Sequence, residues 1–97
     1  MASFRITKKA KSDLLSIGRY TAEKWGIHQR NSYLKQLDQC FAQISEAPGI
    51  GVACDYIAYG YRKLPQGSHL IFYKLGAEGI VEIIRVLYKS MDVDSKF

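Results

Sequence analysis

The sequence has few of the residues that crosslink a small protein or bind a metal ion. Its 97 residues include two cysteines, Cys40 and Cys54, and two histidines, His28 and His69. Neither cysteine belongs to a Cys-x-x-Cys pair, and two cysteines are too few to crosslink a small secreted fold. A structural zinc site needs four ligands, and the histidines stand far from the cysteines in the sequence. We therefore expect no disulfide framework, no metal and no cofactor.

Long apolar runs are also missing. No segment approaches the roughly 20 consecutive apolar residues that cross a bilayer, and the first residues lack the apolar stretch of a secretory signal. A composition with 47% hydrophobic and 24% charged residues is typical of a folded domain. Since 97 residues support one core, we expect a single domain over residues 1–97, in the cytoplasm and without membrane contact.

The first half of the chain has the periodicity of helices. Residues 4–6 alternate as a short strand, and Thr7 has the character of a helix N-cap. Apolar residues then recur at helical spacing as far as Trp25, and Gly26 supplies the left-handed residue that ends a helix. The second helix carries a buried stripe, with Tyr33 and Cys40 beside it. The stripe residues are Leu34, Leu37, Phe41 and Ile44.

After Gly51 the period changes from about 3.6 residues to about 2, which indicates strands. Three strands are predicted near residues 61–64, 69–75 and 80–88, joined by short turns that favour antiparallel hairpins. The two helices, with almost no loop between them, form an antiparallel hairpin over residues 8–47. We therefore predict an α+β fold, in which the helical hairpin covers one face of a three- to four-stranded antiparallel sheet. The opposite face is expected to be open.

Positive charge is concentrated at the beginning of the chain. The net charge is +5, and residues 1–26 contain six basic residues against two acidic ones. Such a surface is typical either of a solvated helix face or of a docking surface for an acidic segment or a nucleic acid. The even balance of charge in the β region, with no stacking motif of single-strand binders, argues against a nucleic-acid-binding module.

The last strand places a cation in an apolar row. In strict alternation Arg85 shares a face with Val81, Ile83 and Leu87. A guanidinium cannot be buried there without a partner. Either it pairs within the chain, with Glu82 or an aspartate, or it projects into a groove where a partner supplies the anion.

Several strings of residues, taken together, resemble the ParE-type toxins of bacterial type II toxin–antitoxin systems, within the wider RelE/ParE superfamily. The resemblance covers nearly the whole chain. The strings are Ala10-x-x-Asp13-Leu14-x-x-Ile17-x-x-Tyr20-Thr21, Trp25-Gly26, Tyr33-Leu34-x-x-Leu37, Gly60-Tyr61-Arg62-x-Leu64-Pro65-x-Gly67-x-His69-x-Ile71-Phe72-Tyr73, and Ile84-Arg85-Val86-Leu87-x-x-x-Met91-Asp92.

This resemblance implies a toxin that traps DNA gyrase on cleaved DNA and is neutralised by a ParD-type antitoxin. The antitoxin's C-terminal segment would fold on the toxin, and the toxin would be a protein inhibitor, not an enzyme, with no direct binding of nucleic acid. No catalytic residue is expected, and Trp25, Tyr61 and Tyr73 are expected to pack in the core. The candidate residues for contact with the target or the antitoxin are Arg62, His69, Arg85, Tyr88, Met91 and Asp92.

The same resemblance leaves a second function open. RelE-type relatives cut messenger RNA on the ribosome with basic residues and often a Tyr or His near the C-terminus. This chain has Tyr88 where the ParE pattern often has histidine. A ribosome-dependent endoribonuclease with Arg62, Arg85 and Tyr88 at its centre is therefore the alternative.

Overall fold

Two helices and five strands make up the described part of the chain, which is residues 3–91 and 93–97 of a computed structural model. In chain order these are β1 (Phe4–Ile6), α1 (Lys8–Trp25), α2 (Ile27–Glu46), β2 (Val52–Ala53), β3 (Tyr61–Gln66), β4 (His69–Leu75) and β5 (Val81–Tyr88). Single turns of 3-10 helix lie at Pro48–Ile50, Ala77–Gly79 and Val93–Lys96. None of the helices in this part of the chain has the length and hydropathy needed to cross a membrane.

The helix boundaries follow the predicted capping residues. The Thr7 hydroxyl accepts a hydrogen bond from the backbone N–H of Ala10 at 3.1 Å, which satisfies one of the free donors of the first turn. Gly26 has a φ of 94°, a conformation that costs glycine little. Its N–H closes α1 on the carbonyl of Ala22, and its own carbonyl accepts the first hydrogen bond of α2 from Arg30. The two helices therefore meet at a single residue.

The sheet has the strand order β1-β5-β4-β3-β2. The predicted α+β class and the helical hairpin are confirmed, and the sheet is larger than the sequence indicated. β1 pairs in parallel with β5, because the whole helical hairpin and three strands separate them in the chain and no tight turn imposes antiparallel pairing. The fifth strand, β2, has only two residues, too few for an alternating pattern to predict it.

The main core lies between the helices and the sheet. In the predicted α2 stripe, Leu37, Phe41 and Ile44 are buried, while Leu34 is partly buried and packs against the core; Cys40, beside the stripe, is also buried. They pack against a row of residues from the sheet and from α1. This row consists of Ala10, Ile17, Ile71, Tyr73, Val81, Ile83 and Val86.

A β-bulge changes the faces of β5. Arg85 pairs with Phe72 and Ile83 with Tyr73, so Ile84 is an extra residue that has no partner on β4. Val81 and Ile83 therefore face the helices together with Val86, and not with Leu87. The prediction of one continuous row through Val81, Ile83, Arg85 and Leu87 is wrong, because strict alternation fails at the bulge.

The expectation of an open outer face is also wrong. A second buried cluster of Cys54, Phe72 and Leu87 lies there. The segment after β2 contributes Cys54, and the segment after β5 contributes Phe97, whose ring centroid lies 5.1 Å from that of Phe72. Two irregular segments thus cover apolar surface that a period-2 pattern assigns to solvent.

A tyrosine joins the end of α2 to the sheet. The buried hydroxyl of Tyr73 donates to the carbonyl of Pro48 at 2.7 Å and accepts from the N–H of Gly51 at 2.8 Å. Glycine is required at 51 because a Cβ would lie 2.5 Å from that hydroxyl. Burial raises the pKa of Tyr73, so the hydroxyl stays protonated and able to donate.

We expect Tyr73→Phe to lower the free energy of unfolding by about 1–3 kcal/mol, because it leaves two buried backbone groups unpaired. The measurement is urea denaturation. Tyr59→Phe is the matched control, since Tyr59 is 94% exposed and should give no change. Equal stability of the two variants would contradict this role of the Tyr73 hydroxyl.

Candidate functional site

Most of the predicted contact residues lie along a groove between α1 and β5, which we call the α1–β5 groove. It consists of two adjoining cavities of about 260 and 290 Å³ that share Tyr20 and Tyr88. The first is lined by Asp13, Ser16, Ile17, Tyr20, Arg85, Val86, Leu87, Tyr88, Met91 and Lys96. The second is lined by Tyr20, Thr21, Lys24, Trp25, Gln29, Tyr33, Ser68, His69 and Tyr88.

Arg85 is paired within the chain. Its Nε and Nη2 donate to the two carboxylate oxygens of Asp13, both at 2.8 Å, and its Nη1 donates to the carbonyl of Lys96 at 2.7 Å. Both side chains of the ion pair are largely buried, with 15% and 13% exposed. The Asp13 carboxylate raises the pKa of the Arg85 guanidinium. Of the two alternatives that the sequence left open, internal pairing with an aspartate is the one observed.

Asp13 also completes the edge of β5. β1 ends at Ile6, and the chain then continues the pairing with Thr7, whose N–H donates to the carbonyl of Ile83. The Thr7 hydroxyl donates to the next carbonyl, that of Ile84. Beyond it, the N–H of Val86 donates to the Asp13 carboxylate at 3.0 Å. Side chains of α1 and its cap thus satisfy backbone groups that no strand reaches.

A row of aromatic rings forms the wall of the groove. The ring centroid of Tyr88 lies 5.9 Å from that of Tyr20 and 4.2 Å from that of His69. The Tyr33 ring lies behind His69 at 5.4 Å. Burial raises the pKa of Tyr88, so this phenol is less easily ionised than an exposed one.

His69 is buried behind this wall, with 3% of its surface exposed. The Tyr33 hydroxyl donates to the carbonyl of Gln66 at 2.9 Å, so its single proton is occupied. His69 Nδ1, which lies 2.6 Å from the same hydroxyl, is therefore assigned as the donor to it. His69 Nε2 is then the unprotonated nitrogen, and it has no hydrogen-bond partner among the described residues.

Burial lowers the pKa of His69, and the negative charge of Asp13 opposes part of that shift. The imidazole is therefore neutral in the folded protein at pH 7. Its place behind Tyr88 makes it a support for the groove wall, whereas the sequence suggested an exposed contact.

Trp25 is the residue that the sequence analysis misjudged most. It was expected to pack in the core, and 66% of its surface is exposed. It is the last residue of α1, about one turn beyond Thr21, which is the last buried residue of that helix. Gly26, which directly follows Trp25, is the signal that could have revealed this exposure. It ends the helix at Trp25, so no further turn of α1 can cover the indole. Trp25 lines the groove beside Lys24, whose Nζ lies 5.7 Å from the centre of the Tyr20 ring.

The remaining candidates divide between two places. Met91 lines the groove with Arg85 and Tyr88, while Asp92 lies outside the described residues. Arg62 is elsewhere: its Nη1 donates to the carbonyl of Gly51 at 2.7 Å, and it lines a separate cavity. The structure therefore brings together His69, Arg85, Tyr88 and Met91, and it leaves Arg62 on the far side of β4.

The groove offers surfaces for contact and few groups prepared for chemistry. Its guanidinium is already paired with a carboxylate, its imidazole is buried and its phenol has a raised pKa. Within the described ranges, no three His, Cys, Asp or Glu side chains cluster as a metal site would require. The groove presents the aromatic side chains of Tyr20 and Trp25 beside the cation of Lys24. Aromatic residues are enriched at protein interfaces.

Comparison with known proteins identifies the family. Residues 4–93 match the family described as ParE toxin of type II toxin–antitoxin system, parDE. A Toxin ParE1 of Mycobacterium tuberculosis is 40% identical over 91 residues, covering 94% of this chain and 93% of the relative. A Toxin ParE1 of Caulobacter vibrioides is 39% identical over 92 residues, covering 95% of this chain and 94% of that relative.

A solved structure has the same fold. It is described as the chromosomal ParDE TA system from P. aeruginosa, with a TM-score of 0.76 at 17% identity, covering 91% of this chain and 96% of the other. The chain belongs to the ParE toxin family of type II toxin–antitoxin systems, as the matching strings in its sequence predicted.

We expect Asp13→Asn to lower the free energy of unfolding by about 2–3 kcal/mol, because it leaves a largely buried guanidinium without a counter-charge. Asp38→Asn removes the same charge from an exposed position on α2 and serves as the control. Thermal and urea unfolding measure both. A loss no larger than that of the control would mean that the ion pair contributes nothing to stability.

His69 should make stability depend on pH. Its folded-state pKa lies below the unfolded value of about 6.5, so the unfolded chain binds more protons between the two values. The free energy of unfolding should therefore fall as the pH is lowered through 6.5, by at most about 1.4 kcal/mol per pH unit.

Urea denaturation at pH 7.5 and 5.5 tests this dependence. His69→Phe should flatten the loss seen between these two pH values, while His28→Phe, at an exposed position, should leave it intact. An unchanged pH dependence in the His69 variant would show that another group is responsible.

Proposed function

We propose that this chain inhibits DNA gyrase as a protein poison, that it traps the enzyme on cleaved DNA, and that a ParD-type antitoxin neutralises it. The observation that carries the proposal is the family match, which extends over residues 4–93. Gyrase as the target comes from the resemblance to ParE-type toxins. This action takes place in the cytoplasm, where the target and its DNA are.

The antitoxin as a partner has separate support. The structure with the same fold is described as a ParDE toxin–antitoxin system, so a chain of this fold occurs with such a partner. A basic toxin with a net charge of +5 suits a partner segment that is acidic, since opposite charges steer association.

We place the contact with gyrase in the α1–β5 groove. Trp25 is 66% exposed and Tyr20 is 46% exposed, and both lie beside Lys24 in one cavity. Exposed Trp and Tyr side chains dominate the energy of many protein interfaces. Met91, which is 39% exposed, extends the apolar surface toward the end of β5.

The ribonuclease alternative has less support from the geometry. It needs Arg62, Arg85 and Tyr88 around one phosphate, since catalysis of RNA cleavage uses a cation and an acid or base at the reacting atoms. Arg62 lines a different cavity from the other two. Arg85 is paired with Asp13 at 2.8 Å. We therefore propose a non-enzymatic inhibitor, and the experiment below distinguishes the two functions.

The test is a gyrase supercoiling and DNA-cleavage assay with the purified chain, beside a coupled translation reaction. We expect loss of supercoiling, accumulation of linear DNA and unaffected translation. Arrested translation with intact gyrase activity would contradict the proposal and assign the chain to the ribonucleases. In that case Tyr88→Phe should restore translation.

A variant in the same assay tests the groove. Trp25→Ala should weaken gyrase inhibition about tenfold or more, as a central interface tryptophan does. Its stability should change by less than about 0.5 kcal/mol because the indole is exposed. Tyr59→Ala removes an aromatic ring that is 94% exposed elsewhere on the surface and is the control. Full inhibition by the Trp25 variant would place the contact outside the groove.

A further inference from the structure

Another cavity adjoins the α1–β5 groove at Arg85 and Lys96 and contains none of the aromatic residues of the groove wall. Its volume is about 590 Å³, within the range of cavities that bind ligands or partner side chains. We call it the basic cavity. Its floor is apolar and its rim is cationic. It is lined by Thr7, Lys8, Lys9, Ile57, Ala58, Tyr61, Ile84, Arg85, Lys96 and Phe97.

Besides residues of β3 and β5, three other parts of the chain form this cavity. The first turn of α1 supplies Lys8 and Lys9, and the segment between β2 and β3 supplies Ile57 and Ala58. The segment after β5 supplies the third wall. It is held in place by the hydrogen bond from Arg85 Nη1 to the Lys96 carbonyl and by the Phe97 ring on Phe72. These two contacts place Lys96 and Phe97, the described lining residues of this wall, against the sheet.

Among the described residues, the charged side chains that line the cavity are all basic. None of the described residues that line it is acidic, and the first turn of α1 contains no acidic residue. Asp13 already neutralises Arg85. Lys8, Lys9 and Lys96 are exposed, and among the described residues we find no carboxylate in an ion pair with them. The N-terminal end of the α1 dipole adds to the same positive potential.

We propose that the basic cavity binds a short acidic segment of the antitoxin, in which one large apolar side chain is flanked by carboxylates. The apolar side chain fills the floor of Ile57, Ala58 and Ile84, and the carboxylates lie against the lysines of the rim. This inference rests on the proposed function only in naming the antitoxin as the source of the segment. It assigns the antitoxin a site distinct from the α1–β5 groove.

The floor favours a peptide over a nucleic acid. Single-stranded nucleic acids bind by stacking their bases on open aromatic faces along a basic track. Here three partly buried aliphatic side chains, those of Ile57, Ala58 and Ile84, line the floor beside the Phe97 ring, which is 43% exposed. The two aromatic rings, Tyr61 and Phe97, pack edge to face with an interplanar angle of 66°. Such a floor suits a Leu, Ile or Phe side chain, whose burial provides the apolar part of the binding energy.

The experiment reverses the rim charges without disturbing the fold. Lys8→Glu/Lys9→Glu places acidic residues in the first turn of α1, where the helix dipole favours them, so the variant should fold. Lys35→Glu/Lys89→Glu makes the same change in net charge at exposed positions outside the cavity. The antitoxin used is a ParD-type protein whose co-expression restores growth to cells that make the toxin. Isothermal titration calorimetry then measures the Kd of each toxin variant for this antitoxin.

We expect the Lys8/Lys9 variant to bind the antitoxin about tenfold more weakly or worse, with a shallower dependence on salt. The control should stay within about threefold of the wild type, by the usual scale for surface charges. Gyrase inhibition by the Lys8/Lys9 variant should be unchanged.

Four outcomes would overturn the inference. Equal Kd values for variant and wild type would do so while leaving the proposed function intact. Equal weakening of the control would assign the effect to net charge alone. Unchanged antitoxin affinity with lost gyrase inhibition would assign the cavity to the target. If the wild type and the control bind a single-stranded DNA 12-mer and the Lys8/Lys9 variant does not, the basic cavity would be assigned to nucleic acid. If no ParD-type protein restores growth, the proposed function itself fails.

Discussion

The rest of the structure depends on one carboxylate, that of Asp13. β1 ends at Ile6, so the longest strand of the sheet has an outer edge that no strand covers beyond Ile83. The Asp13 carboxylate accepts from the N–H of Val86 and from two nitrogens of Arg85. Through Arg85 it also fixes the carbonyl of Lys96. One anion thus connects α1, the edge of β5 and the segment after the sheet. Its partial burial strengthens these charge-assisted bonds, and it would make the loss of either partner costly.

The same ion pair determines what the surface presents. In the sequence, Arg85 stands out as a cation available to a phosphate or a carboxylate. Once it is paired with Asp13, the groove beside it is defined by aromatic rings, by Met91 and by the cation of Lys24, while Lys8, Lys9 and Lys96 line the basic cavity. The Arg85 side chain lines both the α1–β5 groove and the basic cavity. It therefore acts as a common wall of the two surfaces, and their character is set by the other residues that line each of them.

Local patterns predicted most of the fold and a smaller part of the site. The Thr7 cap, the Gly26 junction and the α2 stripe depend on residues close together in the sequence, so periodicity and capping chemistry were enough to find them. The bulge at Ile84 depends on pairing between β4 and β5, and the burial of Cys54 depends on a loop that folds over the sheet. The exposure of Trp25 depends on where the helix ends relative to the sheet. The bulge and the burial of Cys54 are set by contacts across the fold, which a single sequence does not contain, whereas Gly26 directly after Trp25 was a local signal that the sequence did contain.

The positions of the two surfaces constrain how neutralisation works. A segment bound only in the basic cavity would leave Trp25 and Tyr20 uncovered, so binding there would not by itself block the groove. However, Arg85 and Lys96 line both sites, and Met91 continues from them toward Tyr88. An antitoxin anchored at the basic cavity therefore has a short path over Lys96 into the groove. If the antitoxin binds as proposed, the anchored part would raise the effective concentration of the part that follows, so the two contacts together would bind more tightly than either alone. In the proposed arrangement, the acidic segment would supply affinity and orientation, and the chain next to it would cover the groove.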